Sequence, residues 1–300
     1  MKTFAITLTL LCCLALDPAA EATWPGADGA IAFSRGAGGK SDIWIASPSG
    51  KQRRLTATPG FDETSPTFSP DGRTIAYVRR GGGDADIWLM RSDGGGKRPL
   101  VTGELDEFQP SFFPSGRSLV YTAFDGEREW TVYSVRRTGE DRKRLVNDAT
   151  FPIVSPNGRL LAYSADGDGG GIRLLNLRSR RIRELTTGSA QELDFSPNGR
   201  RILFVGQRQC RAGGKLRFLP LVTGLSGRHP RYLRRDCKAE VAGAAWSPSG
   251  RRIVYALKTQ RGRQLAFRLR MMTAAGAPAF GAPRHLAGSQ ELFPAWQPLR

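Results

Sequence analysis

Histidine, cysteine and the usual enzyme motifs are scarce in this sequence. Its 300 residues include two histidines, His229 and His285, and four cysteines. Two histidines argue against a histidine-rich metal site and against a Ser-His-Asp triad. A Gly-x-Ser-x-Gly elbow and a Gly-rich phosphate loop are both absent from the sequence. These absences favour a protein that is not an enzyme.

Long hydrophobic runs are also missing beyond the N-terminus, where none reaches the roughly 18 residues of a membrane-spanning helix. The N-terminus itself carries a positive charge, a 13-residue apolar stretch that ends at Leu16, and a small-residue cleavage site that ends at Ala22. This pattern is typical of a secretory signal peptide over residues 1–22. A lipid anchor on Cys12 or Cys13 is the alternative, although the residues before them fit that processing poorly. We therefore expect a secreted protein, either periplasmic or extracellular.

Two cysteines remain once such a signal is removed, Cys210 and Cys237. An even number of cysteines in an oxidising compartment predicts one disulfide. A bridge between them would close a loop of about 27 residues, which the chain-entropy model values at roughly 3–4 kcal/mol. Two cysteines without paired histidines do not complete a four-ligand metal site, so no metal is expected there.

Glycine and proline are abundant, with 36 and 19 residues, and they punctuate a repeat. Five segments combine an apolar residue, a Pro-x-Gly turn and a short apolar run, and a sixth copy is split between the chain ends. The anchor glycines are Gly29, Gly72, Gly116, Gly158, Gly199 and Gly250. Spacings of 43, 44, 42, 41 and 51 residues, with several short strands in each period, predict propeller blades. In the second repeat the alternation of apolar and polar residues predicts strands at 64–69, 74–79, 85–91 and 97–101.

The split repeat predicts how the ring closes. Trp296-Gln297-Pro298 matches the first half of the motif, and Ala27-Asp28-Gly29 matches the second half. We expect residues 292–297 to form the innermost strand of a blade whose other strands come from the N-terminal repeat. The resulting prediction is an all-β, six-bladed propeller of four-stranded antiparallel blades. It is a single domain over residues 23–300, and its C-terminal strand leaves no exposed break.

The repeat resembles that of the TolB-type propellers, the WD40-like PD40 family. Phe68-Ser69-Pro70-Asp71-Gly72, Asp42-Ile43-Trp44 and Asp86-Ile87-Trp88 carry the resemblance, which covers nearly all of the chain after the signal. It implies kinship with the periplasmic TolB component of the Tol–Pal envelope system, with non-catalytic domains beside peptidases and with oligogalacturonate lyases. TolB proteins also carry an N-terminal α/β domain. This sequence passes from the predicted signal to the first blade, so it is similar to the propeller half only.

Acidic residues recur just before the innermost strands, mostly in the first three blades. These candidates are Asp62, Glu63, Asp106, Glu107, Asp148, Glu240 and Glu291. Because propellers usually bind ligands where these loops meet at the channel mouth, we predict an acidic crescent there. It would bind a basic partner segment or a cation such as Ca²⁺; no other cofactor is expected. The alternative is that these carboxylates accept hydrogen bonds from backbone amides and stay solvated.

Basic charge is concentrated in the second half of the chain. Residues 23–170 hold 19 basic and 19 acidic residues, whereas residues 171–300 hold 25 basic and six acidic residues. The loops of the last two blades carry a predicted basic face, which consists of Arg208, Arg211, Lys215, Lys238, Arg261 and Arg263. Such a face attracts anionic lipid headgroups, acidic polymers or acidic proteins, and the signal argues against nucleic acid. The alternative is that the arginine excess reflects only genome base composition.

Both histidines fall on predicted outermost strands, so they cannot gather at a central metal as the lyase branch requires. The sequence therefore predicts a secreted, non-catalytic propeller that binds an envelope protein or a polyanion. Two alternatives stay open. One is a polysaccharide-active enzyme of the lyase type, and the other is an accessory propeller of a separate peptidase.

Overall fold

The computed structural model describes residues 24–37, 40–126, 129–165, 170–209, 216–227, 230–234, 240–261, 264–279 and 290–299. Every regular element in these ranges is a β-strand. None of the described residues forms a helix that could cross a membrane. The predicted signal peptide, both histidines and all four cysteines lie outside the described residues. The signal peptide and the disulfide therefore remain predictions.

The strands form six four-stranded antiparallel sheets, one for each blade. Blade 1 contains β1 (Ala27–Ala37), β2 (Lys40–Ala46), β3 (Gln52–Arg54) and β24 (Gln290–Leu299). Blade 2 contains β4 (Asp62–Phe68), β5 (Thr74–Gly81), β6 (Asp84–Arg91) and β7 (Arg98–Val101). Blade 3 contains β8 (Asp106–Phe112), β9 (Ser118–Phe124), β10 (Trp130–Arg136) and β11 (Lys143–Asn147).

The second half of the chain repeats the same order. Blade 4 contains β12 (Ala149–Val154), β13 (Leu160–Ala165), β14 (Ile172–Asn176) and β15 (Ile182–Glu184). Blade 5 contains β16 (Ala190–Phe195), β17 (Arg201–Gln209), β18 (Leu216–Gly224) and β19 (Arg231–Tyr232). Blade 6 contains β20 (Glu240–Trp246), β21 (Arg252–Arg261), β22 (Gln264–Thr273) and β23 (Pro278–Ala279). The predicted all-β propeller of six blades is confirmed.

The ring closes as predicted, because the C-terminal strand β24 pairs with β1 of the N-terminal repeat. Their antiparallel register places Ile31 opposite Trp296 and Arg35 opposite Glu291. The sheet order β24-β1-β2-β3 makes the C-terminal strand the innermost strand of blade 1. In blade 2, the observed strands lie within two residues of the predicted bounds.

A Pro-x-Gly motif, preceded by serine in every copy except that of blade 3, links neighbouring blades from blade 2 to blade 6. Its proline packs on the turn glycine of the following blade: a Cβ placed on Gly116 would lie 3.5 Å from Cδ of Pro70, and one on Gly158 would lie 3.4 Å from Cγ of Pro114. The glycines adopt positive φ, 65° at Gly116 and 68° at Gly158, which favours glycine over other residues. The motif therefore both reverses the chain and fixes the spacing between neighbouring blades.

The core consists of apolar layers between the blades. Tyr77, Tyr121 and Tyr163 occupy equivalent places on the second strands of blades 2, 3 and 4, and each is about 1% exposed or less. They pack in separate clusters with residues of adjoining blades, such as Tyr77 with Ile43 and Phe68. The repeated tyrosines thus belong to the core between the blades.

Candidate functional site

The central channel is built from the six innermost strands, β4, β8, β12, β16, β20 and β24, each of which contains a β-bulge. The residues at the equivalent bulge position, which we call the channel ring, are Ser65, Gln109, Phe151, Glu192, Gly243 and Phe293. A bulge re-aims the side chain that it carries. The five residues with side chains line both the channel at the propeller axis and its mouth, and Gly243 lies beside Glu192 and Phe293.

Backbone strain is concentrated at the channel ring. Its five residues other than glycine all have positive φ, from 49° at Phe293 to 54° at Gln109. Each such conformation costs on the order of 1–3 kcal/mol for a residue with a side chain, and clusters of them mark functional sites. The strain directs the side chains at five equivalent positions of an otherwise regular fold towards the axis.

The channel is narrow inside and wide at one end. Its interior has a volume of about 150 Å³ and is lined by the innermost strands together with Trp24. Trp24 lies three residues before Ala27, which pairs with Leu299 at the end of β24, so its indole lies at the far end of the channel. The opposite end, where the innermost strands begin, is a mouth of about 600 Å³.

Half-buried phenylalanine side chains surround the mouth. Five blades contribute one each: Phe108, Phe151, Phe218, Phe267 and Phe293. Partly exposed aromatic residues around a concavity are typical of binding surfaces, because they offer a large apolar area with few rotatable bonds. These phenylalanines were not predicted from the sequence. Their position was the one available signal: Phe151 and Phe293 are at the bulge and Phe108 is one residue before it. Phe218 and Phe267 are near the start of the third strand of their blades.

The charge inside the channel differs from that of the protein as a whole. In a chain with a formal net charge of +18, the described residues that line the interior include Glu192 and Asp194 and no lysine, arginine or histidine. Asp194 accepts a 2.7 Å hydrogen bond from the backbone N–H of Trp246. Burial in the channel raises the pKa of Glu192 to about 8. Its carboxyl group therefore lies in an environment that disfavours an unpaired negative charge.

Three carboxylates of the predicted acidic crescent are not at an open surface. Glu63, Glu107 and Glu291 are completely buried. Because the position before the bulge points into the blade rather than into the channel, their side chains face an arginine. Arg35 contacts Glu291 at 2.7 Å, and burial raises the pKa of Glu107 to about 7 and that of Glu63 above its usual value. This part of the crescent prediction is corrected: these residues are buried inside blades 1 to 3 and do not line the mouth.

The other four members of the predicted crescent are not continuous. Asp62 and Asp106 accept hydrogen bonds from the backbone N–H groups of Ser41 and Ala85 in the preceding blade, at 2.7 and 2.8 Å. Asp148 is exposed. Although partial burial acts in the opposite direction, hydrogen bonds from Lys258 and Arg217 lower the pKa of Glu240. Only two of the seven, Asp62 and Glu240, line the mouth.

Most of the predicted basic face cannot be placed. Arg211, Lys215, Lys238 and Arg263 lie outside the described residues, and of Arg261 only the backbone, at the end of β21, is described. Arg208 is near the end of β17, with its guanidinium carbon 4.9 Å from the ring centre of Tyr232. The described residues contain no group of three or more His, Cys, Asp or Glu side chains that could hold a metal ion.

Solved structures of several propellers are similar to this chain, whereas no curated protein matches it. TolB from Acinetobacter baumannii is 22% identical with a TM-score of 0.71, over 90% of this chain and 67% of that chain. The putative TolB from Agrobacterium tumefaciens is 18% identical with a TM-score of 0.65, over 91% and 100%. An oligogalacturonate lyase in complex with manganese is 12% identical with a TM-score of 0.58, over 88% and 77%. At these identities the similarity shows a shared fold.

The sequence match is to the TolB beta propeller domain, PD40, over residues 22–250. It takes in the repeats of blades 1 to 5 and the turn that begins the second strand of blade 6. With the six-bladed architecture and the interlocking Ser-Pro-x-Gly turns, this match shows that the chain belongs to the TolB-type, PD40 β-propeller family.

Proposed function

We propose that this protein is a non-catalytic binding propeller of the cell envelope, whose channel mouth docks a segment of a partner protein. The observation that carries the proposal is the set of five half-buried phenylalanines that surround the mouth. Aromatic residues in and around a pocket are the usual anchors of protein interfaces. The N-terminal pattern of a secretory signal supports a location outside the cytoplasm.

The composition of the site favours binding over catalysis. The described residues that line the interior include no histidine, cysteine or lysine, which are the commonest bases and nucleophiles of enzymes. The mouth mixes apolar rings with a few charges, Asp62, Arg80, Glu240 and Lys258. An apolar centre with a polar rim is the arrangement that a protein segment recognises.

A capture experiment with matched variants tests the proposal. Phe108→Ser with Phe267→Ser removes two rings from the mouth, whereas Arg159→Ser with Arg200→Ser changes exposed turns on the opposite face. Tagged parent and variants are incubated with envelope extract of the producing cell, and the retained proteins are quantified. We expect the mouth variant to lose a protein that the parent and the opposite-face variant both retain. Equal retention by all three folded proteins would contradict the proposal.

A further inference from the structure

The feature on which this inference depends is the carboxyl group of Glu192 inside the channel. A Cβ placed on Gly243 would lie 3.8 Å from Oε2 of Glu192 and 3.7 Å from the backbone nitrogen of Phe293. The side chain of Glu192 thus extends from blade 5 to Gly243 of blade 6, which also lies next to the backbone of Phe293 in blade 1. It occupies space that is free because Gly243 has no side chain.

We infer that the channel binds one alkylammonium group, such as the side chain of a lysine from the partner, at Glu192 near the phenyl rings of Phe151 and Phe293. The inference rests on the proposed function and names the chemistry of the group that enters the channel. Both phenylalanines belong to the channel ring and line the same cavity as Glu192.

The polar groups around Glu192 leave its carboxylate available. No hydrogen bond or ion pair joins it to another described residue of the protein. Gln109, across the ring, uses its Oε1 to accept hydrogen bonds from the backbone N–H of Phe151 at 2.8 Å and from Oγ1 of Thr122 at 2.9 Å. The carbonyl oxygen of Gln109 is therefore occupied, and Glu192 is the one carboxylate of the channel ring.

The surroundings fit an organic cation with an apolar stem. Aromatic faces attract ammonium groups, and phenyl rings also pack against the methylene groups that lead to them. A divalent metal ion fits less well. Ca²⁺ takes six to eight oxygen ligands, whereas the interior offers two carboxylates, of which Asp194 is already hydrogen-bonded to Trp246. The interior volume of about 150 Å³ admits one side chain.

Because the pKa of Glu192 is raised to about 8, the affinity for the ammonium group is expected to depend on pH. Below pH 8 an ammonium ion must displace the proton of Glu192, so its affinity is expected to rise with pH. Above pH 8 the affinity levels off, until the amine itself loses its proton near pH 10. A neutral molecule of the same shape shows no such dependence.

The test is a titration of the folded protein with n-butylammonium chloride, followed by calorimetry and by the fluorescence of Trp246 and Trp296, which line the channel. n-Butanol is the uncharged probe. Glu192→Gln removes the charge without changing the shape. Gly243→Val fills the space beside Glu192, whereas Gly243→Ala adds a Cβ with ordinary contacts of 3.6–3.8 Å.

We expect the parent and Gly243→Ala to bind n-butylammonium at pH 8.5. Glu192→Gln should bind it at least about tenfold more weakly, the effect of losing one charge-assisted hydrogen bond. Gly243→Val should abolish binding of n-butylammonium. The affinity for n-butanol should be the same in the parent and in Glu192→Gln. Absence of binding by the parent, or equal binding by parent and Glu192→Gln, would overturn the inference.

The capture experiment separates this inference from the proposed function. If the Phe108/Phe267 variant loses its partner while the parent does not bind n-butylammonium, the inference is wrong and the docking role stands. If that variant retains every partner while the parent binds n-butylammonium through Glu192, the docking role is wrong and the ammonium site stands.

Discussion

Buried glutamate–arginine pairs distinguish one half of the ring from the other at the level of single residues. In blades 1 and 2, a glutamate before the bulge lies opposite an arginine of the second strand, as Glu291 opposite Arg35. In blade 3 the opposite residue is Ala123, and Arg142 supplies the guanidinium from the next connection, 3.8 Å from Glu107. At the same place, blades 4 to 6 have pairs of small or apolar residues, such as Val241 opposite Leu257.

These pairs should be replaceable as a unit but not singly. Arg35→Leu leaves the buried carboxylate of Glu291 without its cation, which is expected to cost about 3–5 kcal/mol of unfolding free energy. Arg35→Leu with Glu291→Val recreates the apolar pair of blade 6 and should recover most of that loss. Urea denaturation of the parent, both single variants and the double variant measures the coupling. The prediction is wrong if the double variant loses as much unfolding free energy as the two single variants lose together.

Glu192 makes a separate prediction about stability. Its folded pKa, about 8, lies above the unfolded value of about 4.3, so the folded chain keeps a proton that the unfolded chain loses. Its contribution to stability is therefore fully present below about pH 4 and is lost as the pH rises to 8. Glu192→Gln should melt higher than the parent at pH 9 by at least about 2 °C, and the difference should shrink or reverse at pH 5. A constant difference across this range in calorimetric scans would show that burial does not control this carboxyl.

The strands were largely predictable, because the same sequence motif recurs in each blade. Pro-x-Gly turns at regular spacing and alternating apolar residues located the strands of blade 2 to within a few residues, and the split motif gave the closure of β24 on β1. The bulge was not predictable in this way. A bulge adds one residue to the innermost strand, so the in–out alternation of side chains differs before and after it. Glu63 and the repeat residue Phe68 lie on opposite sides of the bulge. Glu63 therefore points into its blade, and the crescent prediction is wrong at this position.

The candidate site depends on the same unpredicted bulges. Glu192 and Leu193 are neighbours in β16, yet Glu192 reaches the mouth, whereas Leu193 packs in an interblade cluster. The register shift between Gln191 and Asp194 sets which of the two faces the mouth. The sequence could therefore predict a channel mouth as the binding region, but not the residues that line it.

The turn glycines offer a test at the level of the element. Gly158→Ala places a side chain at φ of 68° and brings its Cβ to 3.4 Å from Pro114 of the preceding blade. We expect a loss of about 1–2 kcal/mol of unfolding free energy from the left-handed backbone alone. Gly103→Ala is the control, since no heavy atom lies within 4 Å of its added Cβ. Chemical denaturation that finds the two variants equally stable would argue against the need for glycine at this left-handed position.

The whole molecule has a mouth on one face and turn loops on the other. The innermost strands begin at the mouth and end at the Ser-Pro-x-Gly turns, so the two faces present different residues to a partner. Strand β24 pairs with β1, so both chain ends lie in one blade. The ring is therefore closed by strand pairing and leaves no exposed strand edge at the junction. A closed ring fixes the relative positions of the five phenylalanines at the mouth before a partner arrives, which lowers the entropic cost of binding.

Site-specific photo-crosslinking in the producing cell tests whether partners dock at the mouth. A photoreactive phenylalanine derivative replaces Phe267 at the mouth in one variant and the exposed Thr138 on the opposite face in another. The account predicts a discrete protein adduct from position 267 after illumination, and none of that size from position 138. Adducts from position 138 alone, or the same adducts from both positions, would contradict it.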